Sequence, residues 1–141
     1  MATTPPPFSI RDIDHVVLRS RDVERMISFY CGALGCHVEK VQESIGLVQL
    51  RAGRSLIDLV SVDGEIGRKG GAAPGREGHN LEHFCLRIEP WNPAAIHAHL
   101  TVHGVAHGDV ATRYGADGEG PSIYLEDPDG NTVELKGPPS S

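Results

Sequence analysis

Aromatic residues are scarce in this 141-residue chain, which has three Phe, three Tyr and one Trp. Few rings are therefore available to stack on a large planar ligand. Basic charge is short as well: 13 Lys and Arg stand against 19 Asp and Glu, a net charge of −6. That lacks the basic excess of a nucleic-acid binder. No apolar run approaches the roughly 20 residues that a membrane helix needs. The start, Met1 to Ser9, has no apolar signal core, so secretion is not expected. Cysteines are only three, Cys31, Cys36 and Cys85. Their odd number and scatter suit free thiols in a reducing cytoplasm, and the Cys31–Cys36 spacing is not that of zinc ligands. What the chain does have is an ordinary globular balance, 39% hydrophobic and 23% charged. The length predicts a single domain over 1–141.

The chain repeats itself once. Residues 14–19 read Asp-His-Val-Val-Leu-Arg, and residues 82–87 read Glu-His-Phe-Cys-Leu-Arg. A helical pattern follows each. In the first, Ser20 or Asp22 can cap, the stripe is Val23, Met26, Ile27, Tyr30 and Leu34, and Gly35 stops the helix. In the second, Asn92 caps, Pro93 takes the first helical position, Ile96 and Leu100 form the stripe, and Gly104 closes it. The halves also end alike. Residues 48–59 and 123–135 each hold a β-run, a Gly-containing turn and a second β-run with a carboxylate, Asp58 in one and Glu134 in the other. The expected fold class is α+β: two tandem β-α-β-β-β modules at roughly 13–62 and 81–137. They would form a cup-shaped mixed sheet with helices on its outer face. A repeat read only twice is a duplication, not a solenoid. Residues 63–80 between the modules hold six glycines with Arg68, Lys69 and Arg76, and read as a linker or a lid over an anionic substrate.

Side chains alternate faces along a strand, so parity sorts these residues. His15, Val17 and Arg19 share a face opposite Val16 and Leu18. His83, Cys85 and Arg87 share a face opposite Phe84 and Leu86. Asp58 opposes Ile57 and Leu59, and Glu134 opposes Val133 and Leu135. Each strand thus has one apolar face for the core and one open face bearing a His or a carboxylate. Any one of these could be a plain polar group on a wet sheet. Two imidazoles and two carboxylates at equivalent places in both repeats instead suggest a divalent metal site, with Ni, Co, Zn, Mn and Fe all compatible.

At these motifs the chain resembles the vicinal oxygen chelate superfamily, which includes glyoxalase I, methylmalonyl-CoA epimerase, extradiol dioxygenases and metal-free bleomycin-binding proteins. The resemblance covers about 11–137. It rests on Ile13–Leu18, on Phe29–Gly35 at the end of the first helix, on Leu81–Phe84 and on Asp127–Leu135. It places metal ligands on His15, His83 and Glu134. Asp58, one methylene shorter than the Glu of glyoxalase I, stands at the fourth ligand position. The resemblance implies a lyase or isomerase of the glyoxalase type. In it, one metal ion per site chelates vicinal oxygens of a small substrate and stabilises an enediolate or oxyanion. Glu134 or Asp58 would move the proton, and Arg19 and its repeat mate Arg87 would bind substrate. A non-haem Fe(II) dioxygenase and a metal-free antibiotic-binding protein remain as alternatives. The family also implies a homodimer, with each site built from one chain or from two.

Three further patterns carry less. His97, His99, His103 and His107 have no acidic or thiol partner among them and read as a solvated helix face. Gly115–Gly120 lacks the Lys-Ser/Thr that would make it a phosphate loop. Asp127-Pro-Asp-Gly-Asn131 has Pro138, not Glu, at the twelfth position of a calcium loop, and so reads as a hairpin turn.

Overall fold

The computed structural model describes residues 4–140. Its elements run in duplicate. The first half contains β1 (His15–Ser20), α1 (Val23–Ser28), β2 (His37–Gln42), β3 (Leu47–Ala52) and β4 (Ser55–Ser61). The second contains β5 (Phe84–Arg87), α2 (Pro93–Val102), β6 (Ala111–Gly115), β7 (Gly118–Glu126) and β8 (Thr132–Lys136). Each half builds one four-stranded sheet, in the orders β1-β4-β3-β2 and β5-β8-β7-β6. In both, the first strand lies parallel to the last and the remaining pairs are antiparallel. This is the expected α+β fold of two β-α-β-β-β modules. No helix among the described residues is long and apolar enough to cross a membrane.

The caps follow from the local sequence. The Asp22 carboxylate accepts from Arg25 N at 3.2 Å, and Ser20 Oγ accepts from Asp22 N at 3.0 Å, so both predicted cap residues act at one helix start. Asn92 Oδ1 accepts from Ala95 N at 3.1 Å, with Pro93 next in the first turn. Regular α-helix in the first module ends sooner than the apolar spacing predicts. From Phe29 to Ala33 the chain widens into a π-turn, with Leu34 N donating to Phe29 O. Phe29, Tyr30 and Ala33 of this turn are all buried.

One core serves both modules. Leu18, Leu50, Ile57 and Leu59 from the first sheet join Leu125, Val133 and Leu135 from the second, with Met26, Tyr30 and Leu100 between. Polar links cross the same boundary. Tyr30 donates its hydroxyl to the buried Asp127 at 2.7 Å, and His99 Nε2 donates to Ala33 O at 2.8 Å. Asn80 exchanges hydrogen bonds with the Arg19 backbone and donates to Asn131 Oδ1. Asp127 also accepts from the backbone N–H of Asp129 and Asn131, which makes 127–131 the predicted turn rather than an ion loop.

The connecting segment is partly docked. Residues Gly67–Gly70 form a 3-10 turn against the ends of β1 and β4. The approach is so close that a Cβ on Gly67 would sit 1.8 Å from Ser61 O, and one on Gly70 2.4 Å from Arg19 Nε. Glycine here serves close contact rather than looseness.

Candidate metal-binding half-sites

The duplicate registers put equivalent residues at equivalent places. In the first module Val17 pairs with Asp58 across the β1/β4 ladder, and His15 sits two residues earlier on the same face. In the second module Cys85 pairs with Glu134 across β5/β8, and His83 again precedes it by two. On the other side of each carboxylate stands a β3 or β7 residue: Gln49 opposite Asp58, Tyr124 opposite Glu134.

Each pair is a histidine facing a buried carboxylate. Asp58 is 4% exposed and Glu134 6%. His15 Nε2 lies 3.9 Å from Asp58 Oδ2, and His83 Nε2 lies 3.4 Å from Glu134 Oε1. The other ring nitrogen of each turns to the acid before it in sequence. His15 Nδ1 is 2.7 Å from Asp14 Oδ1, and His83 Nδ1 is 3.4 Å from Glu82 Oε1. An N–H directed at that outer carboxylate fixes the tautomer and leaves the Nε2 lone pair facing inward. The Asp14 contact also holds the His15 imidazole above its ordinary pKa, with Asp58 adding a smaller push.

The donor set fits a divalent cation. Two ligands about 2.1 Å from one ion, subtending 90–109°, are roughly 3.0–3.4 Å apart. The His83–Glu134 distance falls in that window, and the His15–Asp58 distance is wider, as suits the shorter side chain. The Glu134 carboxylate faces His83 Nε2 at 3.4 Å, and among the described residues no side-chain amide or hydroxyl donates to it. Asp58 is better served: Gln49 Nε2 donates to both of its oxygens at 3.3 Å.

The four predicted ligands nonetheless form two pairs and not one cluster. Among the described residues, no three His, Cys, Asp or Glu side chains converge on a common ion position. The second pair faces its own cavity of about 300 Å³, lined by His83, Cys85, Arg87, Tyr114, Glu134 and Lys136 among others, all from the second module. Cys85 is exposed there, yet desolvation and the Glu134 carboxylate push its thiol up to about 11. The rings of Tyr124 and His83 meet edge-on with centroids 5.5 Å apart, and the Arg113 guanidinium lies over the Tyr124 ring at 4.1 Å.

The two predicted substrate arginines are engaged by the protein itself. Arg19 donates to Gly67 O, Ala72 O and Gly71 O at 2.8, 3.0 and 2.6 Å, so it clamps the glycine-rich segment. Arg87 NH1 pairs with Asp117 Oδ2 at 2.7 Å on the cavity rim. The four later histidines pair ring to ring at a tilt, His97 with His107 and His99 with His103, and among the described residues they join no carboxylate. Sequence reasoning passed over Gln49, Tyr124, Arg113 and Lys136. The first two were within reach, because each follows the β-branched residue that opens the aligned runs 48–50 and 123–125.

Comparison with known proteins places these features. Residues 12–135 match the model of the Glyoxalase/Bleomycin resistance protein/Dioxygenase superfamily. A "Glyoxalase domain-containing protein RDO1" of Mycosarcoma maydis is 35% identical over 130 residues, covering 91% of this chain and 69% of that protein. A "Catechol-2,3-dioxygenase" of Bacillus subtilis is 30% identical over 126 residues, which is 87% of this chain but only 40% of that protein's length. Among solved structures, a virulence protein of Salmonella typhimurium superposes with a TM-score of 0.77 at 26% identity, over 93% of this chain and 99% of that one.

Proposed function

This chain belongs to the Glyoxalase/Bleomycin resistance protein/Dioxygenase superfamily, and from that premise we propose that it is a metal-dependent enzyme of the glyoxalase type acting on a small molecule with vicinal oxygens. The observation that carries the reading is the repeated pair: an inward-facing imidazole nitrogen opposite a buried carboxylate, at the same register in both modules. We further infer that two chains associate, so that His15 and Asp58 of one meet His83 and Glu134 of the other. Within one chain the pairs stay separate, and a pair alone is a poor site for a divalent ion.

His15, His83 and Glu134 would hold the ion, with Asp58 as the fourth donor. When bound there, the ion supplies Lewis acidity that lowers the pKa of an adjacent carbon acid and steadies the oxyanion that develops. The chain's own residues do the rest. Asp14 and Glu82 keep both imidazoles in the tautomer that presents Nε2. Gln49 holds both oxygens of Asp58 and leaves it less free to take up a proton. Glu134 has no comparable restraint, so it is the better base for moving a proton at the substrate carbon. Tyr124 flanks Glu134 across the β7/β8 ladder and sets its ring against His83. A dioxygenase reading is favoured by the likeness to the "Catechol-2,3-dioxygenase" of Bacillus subtilis, and it needs only His15, His83, Glu134 and Fe(II).

Elemental analysis of purified protein tests the metal. About one ion per site, lost in Glu134→Ala, supports the reading. No metal after reconstitution with Ni, Co, Mn, Fe and Zn moves it to a binding protein. Activity restricted to the Fe(II) form on a catechol moves it to the oxygenase. A mixing experiment tests the shared site. His15→Ala and His83→Ala proteins would each bind no metal alone. Unfolded and refolded together they form mixed dimers in which one of the two sites has both histidines, and metal binding returns. If each site lay within one chain, mixing would restore nothing.

A further inference from the structure

The open face of the second module carries a buried cation that the proposed chemistry does not use. Lys136 follows Glu134 by two on β8, on the same face, and is only 6% exposed. Its stem runs across the sheet over Gly115, where any Cβ would collide with it at 2.6 Å. Its Nζ donates to Arg113 O, and to Gly120 O at 3.1 Å. These are neutral acceptors, and among the described residues they are its two hydrogen-bond partners. Among the described residues, no carboxylate lies within ion-pair distance of Nζ. A buried ammonium without a counter-charge is costly, and proteins normally pair such groups.

The fold does not require a lysine at this place. The equivalent residue of the first module is Val60, paired with Leu47 where Lys136 is paired with Ser122. That apolar version is fully buried, with Val60 1% exposed. Lys136 is also not alone. Arg87 is its neighbour across the β5/β8 ladder, and both line the 300 Å³ cavity with His83 and Glu134. The carboxylates facing this group are Asp117, already paired with Arg87, and Glu134 itself. Arg87 and Lys136 thus stand against Asp117 and Glu134, with Lys136 the member that has no carboxylate within ion-pair distance among the described residues.

We propose that this end of the cavity is an anion subsite. There the Lys136 ammonium and the Arg87 guanidinium receive a carboxylate or phosphate group carried by the same small molecule whose vicinal oxygens face His83 and Glu134. This rests on the chelation reading for its other end. One cavity of about 300 Å³ is lined by His83, Glu134, Arg87 and Lys136 together, so the anionic group and the chelating oxygens belong to one small molecule. The substrate class is thereby narrowed to small oxygenated acids or phosphate esters, and neutral diols and dicarbonyls are disfavoured. An incoming anion shares Arg87 with Asp117 and supplies the counter-charge that Lys136 lacks.

The test uses full-length protein stripped of metal with chelator, titrated with inorganic phosphate and with oxalate, against chloride at equal ionic strength. Backbone amide shifts of Cys85, Glu134 and Gly115 report the cavity, and the thermal midpoint reports linkage. The expected result is a saturable shift with phosphate, oxalate or both, the tighter one naming the anionic group. Affinity falls at least tenfold in Lys136→Met and severalfold in Arg87→Gln, whose exposed side chain can be removed without loss of folding. Anion raises the midpoint of the unmodified protein and not that of Lys136→Met. Shifts that do not saturate overturn the proposal, as does binding unchanged in both variants. Loss of stability in Lys136→Met with no anion effect on the unmodified protein also overturns it, and makes the lysine a clamp for the Arg113 and Gly120 carbonyls. Anion binding that survives while His83→Ala leaves metal content unchanged sinks the chelation reading alone. Metal bound as proposed with no anion effect sinks the subsite alone.

Discussion

Removing one oxygen atom from the module boundary should cost a large share of the stability of this fold. Tyr30 is fully buried and Asp127 is 5% exposed, and the hydroxyl reaches the carboxylate at 2.7 Å. The bond is short and charge-assisted, a class worth about 1.5–3 kcal/mol. Tyr30→Phe keeps the ring, its stack on Phe84 with centroids 6.5 Å apart and its edge contact with Phe29. The apolar burial is therefore unchanged, and what is lost is one donor to a buried charge. Asp127 keeps its other donors, the backbone N–H of Asp129 and Asn131 and the side-chain amide of Asn131, so the loss stays inside that range. For a chain of this length each kcal/mol lowers the thermal midpoint by roughly 3–4 °C, so the expected drop is about 5–12 °C. Urea unfolding followed by circular dichroism, with calorimetry beside it, gives both numbers. A double-mutant cycle with Asp127→Asn isolates the pair. A loss below about 0.5 kcal/mol, or a coupling near zero, would refute the view that this bond ties the modules together.

The other expectations are more local. Cys85 is exposed but its thiol is pushed up to about 11, two units above the usual 9. The smaller thiolate fraction, partly offset by higher nucleophilicity, makes its alkylation at neutral pH roughly tenfold slower than that of a free thiol. Glu134→Gln should speed that reaction, and equal rates in the two proteins would place the carboxylate too far away to matter. Arg19→Met removes three bonds to the glycine-rich segment, and hydrogen exchange at residues 67–72 should accelerate at least tenfold. Unchanged protection there would mean that Arg19 does not hold the segment. The His15 pKa is raised mainly by the hydrogen bond to Asp14. The contribution of protonated His15 to stability is thus complete below the ordinary histidine pKa and fades as pH rises through the folded value. Asp14→Asn should lower its NMR titration midpoint, and an unmoved midpoint would remove Asp14 as the cause.

The duplicated fold was legible because it is written in short-range chemistry. Helix caps, Gly35 and Gly104 after the helices, and alternation along four strands each depend on residues a few positions apart. Parity alone put His15, Asp58, His83 and Glu134 on open faces, and the ladders pair Val17 with Asp58 and Cys85 with Glu134 as that requires. The π-turn at Phe29–Ala33 was not legible, since its apolar spacing is also that of a straight helix. Nor was the role of Arg19. A strand-end arginine looks the same in sequence whether it waits for a substrate or clamps the carbonyls of Gly67, Gly71 and Ala72, 48 to 53 residues away. Whether the two His–carboxylate pairs meet depends on how modules associate, and no local pattern encodes that.

Comparing the modules with each other separates what the fold demands from what has been added to it. Where both copies hold the same chemistry, as with His15 and His83 or Asp58 and Glu134, a shared purpose explains them together. Where they diverge on the same backbone, the difference lies outside the scaffold. Gln49 restrains Asp58 with two hydrogen bonds, while Tyr124 at the matching place gives Glu134 only an aromatic wall. On the proposed function, this divergence would make Asp58 the held ligand and Glu134 the base. Exchanging the neighbours tests it directly. Glu134 in Tyr124→Gln should acquire the restraint that Asp58 has. Turnover on a substrate of the proposed class should then fall by roughly 10²-fold or more, in the range of a lost general base, with metal content unchanged. Gln49→Leu should leave turnover within a few fold. Equal losses in the two variants would mean that the carboxylates share the proton symmetrically, and that the divergence between the modules has no catalytic meaning.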